Sequence, residues 1–166
     1  MSFDAYLNID GIKGESTEDK HKDWIEVLSY NHGVTQPTSA TRSSSGGGST
    51  GASEHGDIVV TKFVDMSSPK LLEAVSTGKH FKKASLEFMR QGGGEKVKYL
   101  TVNLEELIIS SVQTDGDAKG SQELPVESVS MNYGKIEWVY TQQKRPDGSG
   151  GGNTTAKYDL TKAKAG

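Results

Sequence analysis

The chain has 166 residues, enough for one domain around a single core, and residues 1–166 are expected to form one. Its 19 basic and 22 acidic residues are well mixed and leave a net charge of −3. That balance recommends neither nucleic acid nor a membrane surface as a partner. With no cysteine, disulfides and thiolate metal sites are excluded.

Hydrophobic residues make up 33% of the chain, and much of the shortfall sits in three polar runs: Ser43–Gly56, Gln91–Glu95 and Asp147–Thr155. Elsewhere the chain alternates like a folded protein. The start, MSFDAYLNIDG, carries two aspartates and lacks a basic opening followed by an apolar run. A secretory signal is therefore not expected, and no apolar segment is long enough to span a bilayer. The expectation is a chain made in the cytoplasm, whose export, if any, uses a signal-independent route.

In chain order, Phe3, Ala5, Leu7 and Ile9 alternate with Asp4, Tyr6 and Asn8, the pattern of a half-buried strand. Trp24–Tyr30 alternates again. Ile58–Val64 is nearly continuous and β-branched, which predicts a strand covered on both faces. Between them, from Pro37 to Gly56, runs a glycine- and serine-rich loop with almost no apolar residue. Loops beyond about 12–15 residues are usually functional or disordered.

The stretch SSPKLLEAVSTGKHF predicts one short helix over about 69–77. Ser68 is placed to cap it, Pro69 suits its first turn, and Gly78 suits a left-handed exit. Leu71, Leu72 and Val75 would form its packing face. Helices below roughly 12 residues are marginal alone, so this one must lie against a sheet. Strands then follow at Ala84–Met89, Val97–Leu104, Leu107–Gln113, Val126–Tyr133 and Ile136–Thr141, with a weak last one at Ala156–Leu160. Eight or nine strands punctuated by Gly, Pro and Asn argue a mostly β chain, an antiparallel sandwich or barrel with one flanking helix.

No catalytic or metal pattern survives inspection. A phosphate loop fails at Thr77-Gly78-Lys79, because Glu73 stands where its first glycine belongs and His80 where Ser or Thr belongs. Gly92-Gly93-Gly94 reads as a hairpin turn. His21, His32, His55 and His80 lack metal-ligand spacing and read as solvated or capping. Glu105 and Glu106 are adjacent, so a strand would point them to opposite faces. Asp115-Gly116-Asp117 opens like a calcium loop, but Val126 stands at its twelfth position. Trp24 and Trp138 sit on alternating apolar faces, where core packing is the plainer reading. No enzyme activity and no cofactor is expected. A second reading keeps these two indoles as stacking platforms of a secreted carbohydrate- or ligand-binding β-barrel.

Five blocks in order carry a family resemblance: Tyr6–Ser16 with its Gly-Glu-Ser turn, Ile25–Val27 leading to Tyr30–Pro37, Lys62–Leu71 with the helix and Gly78-Lys79-His80, Tyr99–Ser111, and Val129–Tyr140. Together they resemble the haemolysin-coregulated protein family, the tube protein of bacterial type VI secretion systems. The resemblance implies a two-sheet antiparallel β-barrel assembled into a homohexameric ring. Such rings stack into a hollow tube that carries and chaperones effectors and is itself exported, with a spike protein and a sheath as further partners. On that reading the long loop is the ring-stacking arm, with Gln36, Pro37, Thr38, Arg42, Glu54 and His55 as its candidate contacts. A ring needs one patch to meet a different patch on the next copy, and partly apolar strand faces on a small chain supply candidates.

Overall fold

In a computed structural model, residues 3–38, 52–92, 95–121, 123–142 and 152–166 are described. They are mostly strand: β1 (Asp4–Ile9), β2 (Ile25–Val27), β3 (Ser29–Asn31), β4 (Val34–Thr35), β5 (Glu54–His55), β6 (Ile58–Phe63), β7 (His80–Gly92), β8 (Glu95–Asp115), β9 (Val126–Thr141), β10 (Asn153–Asp159) and β11 (Lys164–Ala165). The helix α1 spans Ser68–Thr77. Nine strands share one antiparallel sheet, in which β11-β10-β9-β8-β7-β1-β2 run side by side and β6 pairs both β3 and β9. The other two, β4 and β5, form a separate pair.

Trp24–Tyr30 reads as one strand but is two. β2 pairs β1, with Leu7 opposite Ile25, whereas β3 pairs β6, with Tyr30 opposite Val60. The chain changes partner at Leu28, which stands exposed.

Conversely, the runs split at Glu105-Glu106 and at Gly134 are single long strands. Glu106 takes a positive φ of 53° without leaving the ladder, because its neighbours Glu105 and Leu107 pair Lys135 and Tyr133. Opposite it Gly134 leaves the room: a Cβ there would stand 3.3 Å from both the Cβ and a carboxylate oxygen of Glu106. These long strands serve two sets of neighbours. The first half of β9 lies between β6 and the end of β8, and its second half between the start of β8 and β10.

The core gathers Ala5, Leu7 and Ile9 of β1 with Leu86 and Phe88 of β7, Val102 and Leu104 of β8, and Val129, Met131 and Ile136 of β9. Phe3, expected on the same face, is 45% exposed.

The β6 strand departs from expectation. It is covered on one face, not two: Ile58, Val60 and Lys62 point inward, Val59 and Thr61 are half-buried, and Phe63 is exposed. Strand period two decides this. Once Ile58 and Val60 face the core, Lys62 must follow them and Phe63 cannot.

The helix departs in two ways. Leu71 and Ala74 are buried and Val75 packs at the margin of the core, but Leu72 is 43% exposed and leaves the expected packing face. Each helical residue turns the side chain by about 100°, so Leu71 and Ala74 share a stripe with Ser68 while Leu72 falls beside it. Ser68 lies inside the helix, and the cap position, Ser67, makes no side-chain cap bond. Pro69 and the left-handed Gly78 (φ 65°) stand as expected.

Candidate functional site

Among the described residues, three polar clusters and two outer sheet faces are places where this chain could do work. The first cluster holds the start of α1. Lys62 Nζ lies 2.7 Å from Glu127 Oε2 and 3.0 Å from Asp65 Oδ1. Ser68 Oγ donates to Glu127 at 2.8 Å and accepts from the Asp65 N–H at 3.0 Å, and Ser67 N–H donates to Asp65 at 2.9 Å. Lys62 and Glu127 are almost completely buried. Burying an ion pair is tolerable only when its remaining polar atoms are bonded, and the two serines and the Asp65 turn do that.

The second cluster pins the segment after β1. His21 is buried, contrary to its expected solvated role. One ring nitrogen meets Glu18 and the other meets Glu87 on β7 at 2.8 Å, while its face stacks on Tyr6. Burial pushes the Glu18 carboxyl up, yet bonds from His21 and the Lys20 N–H together with attraction from His21 and Lys96 outweigh it and leave it lowered. Gly14 is needed beside this cluster, because a Cβ there would collide with the Trp24 carbonyl. The Gly14 and Ser16 N–H groups donate to the Asp23 and Trp24 carbonyls at 2.8 and 3.0 Å.

The third cluster sits at the base of the long loop. His32, just before β4, and His55, closing β5, converge on one phenol: their Nε2 and Nδ1 lie 2.7 and 3.0 Å from Tyr133 Oη. His55 stacks on Tyr158 at 4.9 Å, and both imidazoles lie over Trp138. Burial lowers the His32 pKa, with His55 adding to the effect, and burial lowers that of His55. Burial, with Tyr30 and Asp57 adding to it, raises that of Tyr133.

His55 is therefore a core-facing anchor rather than a loop-tip contact. Gln36, Pro37, Thr38 and Glu54 are exposed at the loop base, and Arg42 lies outside the described residues. Of the helix face, Leu71 is seated, Val75 half-seated and Leu72 outside it. Trp138 is half-buried beneath the two imidazoles, and Trp24 is half-buried with His21 edge-on at 4.7 Å, so neither indole is a free-standing platform. Among the described residues, no three His, Asp or Glu side chains gather as a metal set, and no helix is long and apolar enough to cross a membrane.

The outer faces differ in chemistry. Across β7, β8, β9 and β10 the register sets Lys83, Glu105, Lys135 and Asp159 in one row of alternating charge. The next row is bonded through: Ser85 to Asn103 at 2.8 Å, Asn103 to Glu137 at 2.9 Å, and Glu137 to Lys157 at 3.3 Å. Across β3, β6, β9 and the end of β8 the outward row is Ser29, Thr61, Ser128 and Gln113, without a charge. Period two made both rows readable once strand partners were known. The two histidine clusters offered no such signal, because the bonds that close them, His21 to Glu87 and His32 and His55 to Tyr133, span 66 to 101 residues.

A model of the family described as type VI secretion system effector, Hcp, matches residues 6–140. The chain belongs to the Hcp family. Over 152 residues it is 35% identical to protein hcp1 of Pseudomonas aeruginosa, covering 92% of this chain and 91% of that one. It is 31% identical over 162 residues to the major exported protein of the same organism, covering 84% and 90%. A solved structure of a type six secretion system protein superposes with a TM-score of 0.91 at 32% identity, covering 99% of this chain and 100% of that one. The Hcp family is structural and secreted, not enzymatic.

Proposed function

We propose that this Hcp chain is a tube subunit: one domain of 1–166 closed as a two-sheet barrel, six copies of which form a ring. The observation that carries this reading is the family match over residues 6–140, which reaches from β1 into β9 and takes in every strand that gives the core a buried hydrophobic residue. Barrel closure is supported by the partner change at Leu28, which hands the chain from β1 to β6, and by the pairing of β6 with β9. Rings stack into a hollow tube with effectors in the lumen, a spike protein at the tip and a sheath around it. The subunit is cytoplasmic before assembly and exported with its cargo. The arm bears the ring-stacking contacts, with Gln36, Pro37, Thr38 and Glu54 as its exposed candidates, Arg42 as a candidate outside the described residues, and His55 anchoring its base.

Native mass spectrometry with negative-stain electron microscopy of the purified chain tests the reading. Six-copy rings are the expected result; a monomer at every concentration overturns it. Deleting 39–51, which leaves the β4–β5 base and His55 in place, should keep rings and weaken their stacking. Tubes that form equally well without that segment remove the arm from stacking.

A further inference from the structure

One phenol oxygen held between two imidazoles has a definite proton requirement. Tyr133 can donate its single O–H to only one ring nitrogen, so the other ring must donate its own N–H to the phenol oxygen. Two uncharged rings meet that requirement. Two imidazolium rings do not: both would donate, the phenol proton would lose its acceptor, and two like charges would face each other across one oxygen.

The surroundings offer the imidazoles no bonded carboxylate among the described residues, although the charge of Asp57 reaches Tyr133. Trp138 on β9 and Tyr158 on β10 stand against the imidazoles, and Tyr30 on β3 lies close enough to Tyr133 to act on its phenol. Asp57, ahead of β6, is engaged by Ser110 at 2.6 Å and Asn132 at 2.9 Å. Glu54 beside His55 is exposed. Among the described residues no carboxylate bonds either imidazole, in contrast to His21, which has two. β4 and β5 pair through Val34–His55 and Thr35–Glu54, and Gly56 N–H donates to Gly33 O at 2.9 Å.

We propose that His32, Tyr133 and His55 form an acid-sensitive latch, which seats the base of the arm on β9 and β10 while both imidazoles are uncharged and releases it when they take up protons. The lowered pKa of both imidazoles and the raised pKa of Tyr133 agree with this, because the phenol stays protonated and gives no anion to neutralise them. For assembly the latch rests on the reading of the arm as the stacking element, and would make stacking weaker in acid. The latch itself is a property of the single chain.

The test is a histidine NMR titration of the full chain from about pH 7.5 to 5, spanning the ordinary imidazole value of about 6.5. His32→Gln and His55→Gln assign the signals, and the Trp138 indole N–H resonance reports whether the base is seated. Both imidazoles should titrate below the ordinary value, and the Trp138 resonance should move over the same interval. In Tyr133→Phe the two movements should separate. Imidazoles that titrate at or above the ordinary value, or a Trp138 resonance that stays still while they titrate, overturn the latch. Should Tyr133→Phe not fold, the titration of the unmodified chain decides alone. A chain that shows both movements yet never assembles into rings keeps the latch and overturns the ring reading instead.

Discussion

The start of α1 and the base of the arm pose the same problem, fastening a short peripheral element to a β core, and meet it with opposite chemistry. Beneath α1 the fastening is ionic and sealed: Lys62, Glu127 and Asp65 with two serines, and almost no water contact at its centre. Beneath the arm it is uncharged and only partly covered, two imidazoles on one phenol with aromatic rings around them. A sealed ion pair is costly to break from either side, so the helix stays put. An uncharged histidine pair depends on pH, so the arm can be let go.

The comparison breaks most sharply at Glu127. Glu127→Ala leaves buried Lys62 with Asp65 as its one carboxylate beside the Ser68 hydroxyl and should cost about 3–5 kcal/mol in urea unfolding, a large part of a typical 5–15 kcal/mol domain stability. Next comes Leu71→Ala, at about 2–5 kcal/mol, set against Leu72→Ala, which should stay within about 0.5 kcal/mol because its side chain is exposed. Equal losses at the two positions would mean that α1 sits in another rotation.

At the arm, Tyr133→Phe should cost about 1–3 kcal/mol, since it strips both imidazoles of their partner. The smallest effect is in pH. The two imidazoles hold protons less well folded than unfolded, so their contribution is whole above about pH 6.5 and drains away as pH falls through their folded values. Thermal unfolding at pH 7.5 and 5 should show that loss, and His55→Gln should reduce it. A chain that is steadier at pH 5 through these groups would reverse the assignment.

Much of this was legible from the residues. The alternation in β1, the helix with Pro69 and Gly78, and the hairpin that pairs Gly92 with Glu95 were all readable, because each rests on chemistry within a few neighbours. The joining of Val97–Leu104 to Leu107–Gln113 was not, since a positive φ at Glu106 is tolerated only because Gly134 stands opposite. Nor was Leu72, where two adjacent leucines look equivalent until the sheet chooses a stripe. Of the candidate site, the arm was visible as composition, but the histidines read as solvated because neither has a partner within the chain nearby.

What the sequence alone determined was the mostly β class, the one short helix with its stops, the lack of a catalytic pattern and, through ordered blocks along its length, the Hcp family. Tertiary structure decided which face each strand buries, and with it the placing of Lys62 inside and Phe63 outside. It also brought His32 and His55 to Tyr133, which lies 101 and 78 residues further along the chain. The reason is one of range: propensity and alternation act between neighbours, whereas a polar cluster exists only when strands distant in sequence are set side by side.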